Sequence, residues 1–142
     1  MLSKSSQYAI RAVLYLSLNS NEEIKYSPKK IAKAIEIPAP FLAKTLQELT
    51  KRNLISSIKG RNGGFYLTEV NRQNTLISIV DSIDGMHKFQ ECLLGLTVCS
   101  NENPCSLHHV IAPLRKKIVE ELTFKTIDDL SKEIMNGTTH IV

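Results

Sequence analysis

The chain has no tryptophan and few aromatic residues, four Phe and four Tyr in 142 positions. Its core must therefore be built from aliphatic side chains, which a 42% hydrophobic content can supply. No apolar run reaches the roughly 20 residues of a membrane-spanning helix. The opening Ser3-Lys4-Ser5-Ser6 lacks the charged-then-apolar order of a cleavable signal. The expectation is a cytoplasmic protein with no membrane partner, long enough for one domain plus a dimerisation element. Cysteine is missing everywhere except one stretch of fourteen residues, which holds Cys92, Cys99 and Cys105. In a reducing compartment clustered thiols read as metal ligands or redox groups before disulfides, and an odd count fits an internal disulfide scaffold poorly.

Positive charge is concentrated rather than abundant. Residues 25–61 carry nine basic side chains, Lys25, Lys29, Lys30, Lys33, Lys44, Lys51, Arg52, Lys59 and Arg61, against Glu36 and Glu48. That segment is +7 within a chain of net +4, so the remainder is −3. Segregation of this kind marks a polyanion-binding surface, the alternative being a solvated lysine-rich helical face.

The elements around that charge have an order. An almost wholly apolar helix over about Ser3 to Leu18 requires cover on more than one side, from its own domain and a second subunit. Asn19 to Tyr26 reads as a polar loop. Ser27-Pro28 pairs an N-cap with a proline at the first helical position. That helix must stop before Ile37-Pro38, because a residue preceding proline is pushed out of helical geometry. The next starts near Pro38 to Phe41 and runs to about Arg52, with Leu42, Leu46 and Leu49 on one face. Leu54–Lys59, a Gly60-Arg61-Asn62-Gly63-Gly64 turn and Phe65–Thr68 then form a β-hairpin. Three helices and a basic hairpin in this order predict a winged helix-turn-helix that binds DNA.

Further on, a helix over about Thr75 to Asp84 ends at Gly85. A long helix over about Pro104 to Thr123 carries the seam Leu107, Ile111, Leu114, Ile118 and Leu122, best explained as an antiparallel dimer contact. Pro113 predicts a kink or a late start. Thr126 and Asp129 announce a last helix ending at Gly137, with frayed residues beyond it. The chain thus reads as mainly α: a winged helix-turn-helix domain over 1–84, a cluster-binding loop over 85–106, and a dimerisation helix with a C-terminal helix over 107–142.

The three cysteines sit in a polar, turn-rich loop with Gly95, Asn101, Asn103 and Pro104. Their spacing, C-x6-C-x5-C, is wider than the close pairs of structural zinc sites. It favours an iron–sulfur cluster, with zinc and direct thiol redox chemistry as alternatives. His108, one helical turn past Cys105, is the nearest candidate fourth ligand. A thiol enzyme using Cys105 and His108 as nucleophile and base lacks an orienting third group, so no enzymatic activity is expected.

In these pieces the chain resembles the bacterial iron–sulfur transcription regulators of the IscR and NsrR type, an Rrf-type family. The resemblance rests on Ser6-Gln7-Tyr8-Ala9-Ile10-Arg11-Ala12, Ile37-Pro38-Ala39-Pro40-Phe41-Leu42, Gly60-Arg61-Asn62-Gly63-Gly64-Phe65 and the three cysteines, over nearly the whole length. It implies a homodimer that binds double-stranded promoter DNA as a repressor and senses iron–sulfur supply, nitric oxide or redox state. It places Cys92, Cys99 and Cys105 as cluster ligands, with His108 completing a two-iron cluster as in IscR-like members. NsrR-like members use instead an acidic residue of the partner subunit, and Gln7 stands at that position here. Two-iron and four-iron types both stay open. Lys59 matches a wing arginine that contacts DNA. Pro38, Ala39, Pro40 and Ala43 replace hydroxyls and an acid at the recognition helix, so base reading falls to Lys44 and Gln47, with Ala39 facing a thymine methyl. Lys29, Lys30, Lys33, Lys51 and Arg61 would contact phosphates. The competing reading is a cofactor-free winged-helix regulator controlled by a protein partner or by cysteine oxidation.

Overall fold

The computed structural model describes residues 2–142. Helix α1, Lys4–Asn19, is capped by Ser3, whose hydroxyl accepts from the Ser6 N–H at 3.0 Å. Ala9, Ala12, Val13 and Leu16 are fully buried, so α1 is the spine on which the other elements pack. Helix α2, Pro28–Ala34, starts as the Ser27-Pro28 pair dictates, with Ser27 accepting from the Lys30 N–H. The turn to α3, Ala39–Lys51, passes through Glu36 at φ 56° and buries Ile35 and Ile37. Leu42, Leu46 and Leu49 of α3 close the core against Ile31 and Ile55.

The wing is a short antiparallel pair, β1 Ser56–Ile58 and β2 Gly64–Tyr66, with Ser57 opposite Phe65. The segment before α2 adds to it. Tyr26 forms a bridge with Phe65, its N–H donating to the Phe65 carbonyl at 3.0 Å and its carbonyl accepting at 2.9 Å. The polar loop over Asn19–Tyr26 thus ends as a third, one-residue edge of the wing. Two glycines allow the close approaches of the wing, at its tip and at this edge. A Cβ on Gly63 would lie 2.1 Å from the Ile58 carbonyl oxygen, and Gly64 at φ +144° lies against the Tyr26 backbone.

A one-turn helix, α4 Glu69–Arg72, follows the wing with a complete capping box between Thr68 and Asn71. Asn71 is buried, donates to the Asn53 carbonyl and accepts from Ser56 Oγ, joining the end of α3, β1 and α4. Helix α5, Leu76–Ile83, buries Leu76, Ile79 and Val80, and Gly85 at φ 77° turns the chain out of it. A 3-10 turn, Met86–Phe89, leads into the cysteine loop.

Helix α6 spans His108–Phe124 and α7 spans Ile127–Met135. The long helix begins at His108 rather than near Pro104, because residues 105–107 form a turn in which the His108 N–H reaches the Cys105 carbonyl at 3.1 Å. Pro113 therefore falls in the second turn, where it removes only the bond to the His109 carbonyl. The Thr126–Asp129 capping box forms as expected, and α7 returns to α1, where Ser131 and Ser17 hydrogen-bond in the core. Residues 138–140 and Val142 are exposed, and the tail is held at one point. Ile141 lies against the core and its carbonyl accepts from Arg11 Nε at 3.1 Å. Among the described residues, no helix is long and apolar enough to cross a membrane.

Candidate DNA-binding face and cysteine centre

The basic side chains expected to meet phosphates, Lys29, Lys30, Lys33, Lys51 and Arg61, are exposed, as are Lys44, Gln47 and Lys59. Lys44, Gln47 and Lys51 lie on the solvent side of α3, opposite the buried leucine stripe. Lys51 pairs with Glu48 at 3.8 Å, an exposed contact of little energetic weight. Ala39 differs from the rest: it is half-buried and packs against the core, so only part of its methyl faces outward. Phe41 was not singled out for contact by sequence. It is 68% exposed at the start of α3, and its place off the leucine stripe was the available signal.

The second site is the loop after Gly85. One sulfur atom from each of Cys92, Cys99 and Cys105 lies within 4.8 Å of the others. Cys92 and Cys105 are 3.7 Å apart. Two thiolates on one tetrahedral metal are separated by about 3.8 Å when each metal–sulfur bond is about 2.3 Å, so this pair already has ligand spacing. Local hydrogen bonds hold the loop: the Gly95 N–H meets the Cys92 carbonyl at 2.9 Å, and Ser100 and Asn103 close a turn. Arg115 of α6 donates to the Glu91 carbonyl, fastening the loop entrance to the helix.

His108 reaches the same centre. Its Nδ1 is 3.2 Å from Cys99 Sγ and its Nε2 is 2.8 Å from Asn101 Oδ1. The ring is only 7% exposed, whereas its neighbour His109 faces solvent. His108 stands outside the tight sulfur triangle but against its Cys99 corner. The contact of Asn101 with His108 has no signal in the sequence, since no spacing rule couples an asparagine to a histidine seven positions on.

The thiols are not equivalent. The Leu96 N–H directed at Cys92 holds its pKa down to about 7, against the opposing effect of burial and with help from the Leu94 N–H and the two other cysteines. Cys99 goes the other way. The Cys105 N–H favours its thiolate, but burial and the neighbouring sulfurs outweigh it and raise the pKa. Of these two thiols Cys92 therefore ionises more readily than Cys99. Soft donors of this kind, with an imidazole nitrogen alongside, fit iron–sulfur or zinc coordination and not a hard cation.

Beside the trio, an apolar groove of about 640 Å³ is lined by Phe89, Cys92, Leu93, Ile111, Leu114 and Ile118 among others. It joins the cysteine loop to the seam of α6. Much of that helix face is open, with Val110 64% and Leu114 56% exposed.

Residues 2–133 match the family model described as "Rrf2: Iron-dependent Transcriptional regulator". The chain belongs to the Rrf2 family. An HTH-type transcriptional regulator of Aquifex aeolicus is 37% identical over 132 residues, covering 92% of this chain and 90% of the relative. The regulator NsrR of Oceanobacillus iheyensis is 30% identical, with 92% and 89% covered. Among solved structures, IscR of T. potens superposes with a TM-score of 0.73 at 22% identity, covering 99% of this chain and 92% of that one. CymR, the global cysteine regulator of B. subtilis, gives 0.72 at 22% identity, with 93% and 96% covered. This Rrf2 member is therefore a mainly helical, winged-helix, DNA-binding transcription regulator and not an enzyme.

Proposed function

We propose that this regulator binds promoter DNA as a homodimer and represses transcription according to the state of an iron–sulfur cluster held by Cys92, Cys99, Cys105 and His108. The observation that carries the reading is the convergence of three thiols within 4.8 Å in a member of a family described as iron-dependent. A cluster there would supply a centre that nitric oxide, oxidants or iron shortage dismantles. The remaining steps belong to the chain itself. Lys29, Lys30, Lys33, Lys51, Lys59 and Arg61 neutralise phosphates and fix register, while Lys44 and Gln47 read base edges, with Ala39 and Phe41 as apolar contacts. The open face of α6 pairs with a second copy and sets the distance between two recognition helices. Because Arg115 fastens the loop to α6, and the groove joins both, a change in loop order biases the dimer between spacings.

Anaerobic purification with absorption spectra and iron and sulfide analysis tests the cofactor. A brown protein with both elements is expected, and Cys99→Ala should lose colour while keeping its helical content. A colourless, iron-free protein contradicts the reading. One observation favours a second reading: the 3.7 Å between Cys92 and Cys105 also suits a thiol–disulfide switch with no metal. Metal content separates the two.

A further inference from the structure

The hydrogen bond between His108 and Asn101 bears on which nitrogen meets the metal. An imidazole 7% exposed must satisfy both ring nitrogens inside the protein, and His108 has one partner for each. Asn101 Oδ1, 2.8 Å from Nε2, is an acceptor without a hydrogen. Nε2 must therefore carry the proton in the neutral ring. Nδ1 is left with a free lone pair, and it is the atom 3.2 Å from Cys99 Sγ, at the corner of the sulfur triangle.

We propose that Asn101 is the positioning residue of the metal centre: by accepting from His108 Nε2–H it fixes the ring tautomer and rotation and makes Nδ1 the nitrogen donor. The proposal rests on the reading of His108 as a ligand. Asn101 is itself an exposed loop residue, so it contributes little to the core, and its identity matters through the bond to His108. A hydrogen bond from the far nitrogen also raises the basicity of the ligating one. Asn101 lies in the same loop as the cysteines, two residues past Cys99, so the loop that delivers the three sulfurs also orients the imidazole.

Two measurements test this. In reduced, metal-free protein labelled with 15N-histidine, long-range proton–nitrogen correlation spectra should show His108 as the Nε2–H tautomer, with His108→Ala assigning the signal. In Asn101→Ala that preference should be lost. A proton on Nδ1 in the wild type overturns the proposal. Cobalt(II) then serves as probe, because thiolate–cobalt charge-transfer and ligand-field bands report sulfur and nitrogen donors separately. Asn101→Ala should weaken cobalt binding by about ten- to a hundred-fold, and Asn101→Asp, which still accepts from Nε2–H, should restore it. Unchanged affinity in Asn101→Ala overturns the proposal. If His108→Ala binds cobalt like the wild type, the assignment of His108 as ligand fails instead. Absence of any thiolate–cobalt band overturns the cysteine centre and with it the positioning role, whereas a band with unchanged affinity in Asn101→Ala overturns the positioning role alone.

Discussion

The carboxylate of Asp84 accepts hydrogen bonds from both the backbone N–H and the hydroxyl of Ser3. The residue just before the Gly85 turn is thereby tied to the N-cap of α1, 81 positions earlier. Burial tends to raise the Asp84 pKa, but the two Ser3 bonds, Ser6 and Lys88 together bring it below the ordinary value. A depressed folded-state pKa means stabilisation that is present above the unfolded carboxyl pKa, near 4, and lost as pH falls through the folded value. Asp84→Ala should therefore cost about 1–2 kcal/mol near neutral pH. Urea unfolding at neutral and acid pH checks this, with the difference between variant and wild type shrinking in acid.

The wing depends on close backbone approach. Gly63→Ala places a methyl within 2.1 Å of the Ile58 carbonyl oxygen, a contact that only movement of the hairpin relieves. Promoter affinity should fall while the helical signal stays, because the three-helix core is formed without the wing tip. Fluorescence anisotropy on a promoter fragment, with circular dichroism alongside, measures both.

Much of this was legible because it is local. Ser27-Pro28 started α2, the Leu42, Leu46 and Leu49 stripe buried α3, and Thr126 with Asp129 capped α7. Each signal lies within two helical turns of its effect. The features that escaped have partners far along the chain or no periodic signature. Tyr26 pairs with Phe65 across 39 positions, and Asn71 collects Asn53 and Ser56 under the wing. The start of α6 was misplaced by four residues because Pro104 looks like a first-turn proline, whereas Cys105 to Leu107 are held in a turn. For the cysteine centre, three thiols in one loop were enough to expect convergence. The partner that orients His108 was not visible until the loop was folded.

Cysteine reactivity should follow the order of the thiol pKa values. In reduced, metal-free protein Cys92 should be alkylated by iodoacetamide before Cys99, with its rate rising with pH around about 7, because the thiolate is the nucleophile. Peptide mass spectrometry after timed quenching reads this directly. Faster labelling of Cys99 would show that the Leu96 N–H does not stabilise the Cys92 thiolate.

The α6 seam predicts assembly. Leu114 is 56% exposed at the middle of the row Leu107, Ile111, Leu114, Ile118 and Leu122. Covering it in a dimer is worth about 1.5–3 kcal/mol per fully buried side chain. Leu114→Asp should shift the protein from dimer to monomer in light scattering and weaken promoter binding, since each reading head then binds alone. A variant that stays dimeric moves the interface elsewhere.

The most direct measurement compares one preparation in two states. Promoter affinity is determined anaerobically for the cluster-loaded protein and again after the cluster is removed and the thiols are kept reduced, at one fixed salt concentration. A clear difference in affinity, lost when Cys99 is replaced by Ala, is the expected result. Equal affinity in both states would contradict control of DNA binding by the sulfur centre.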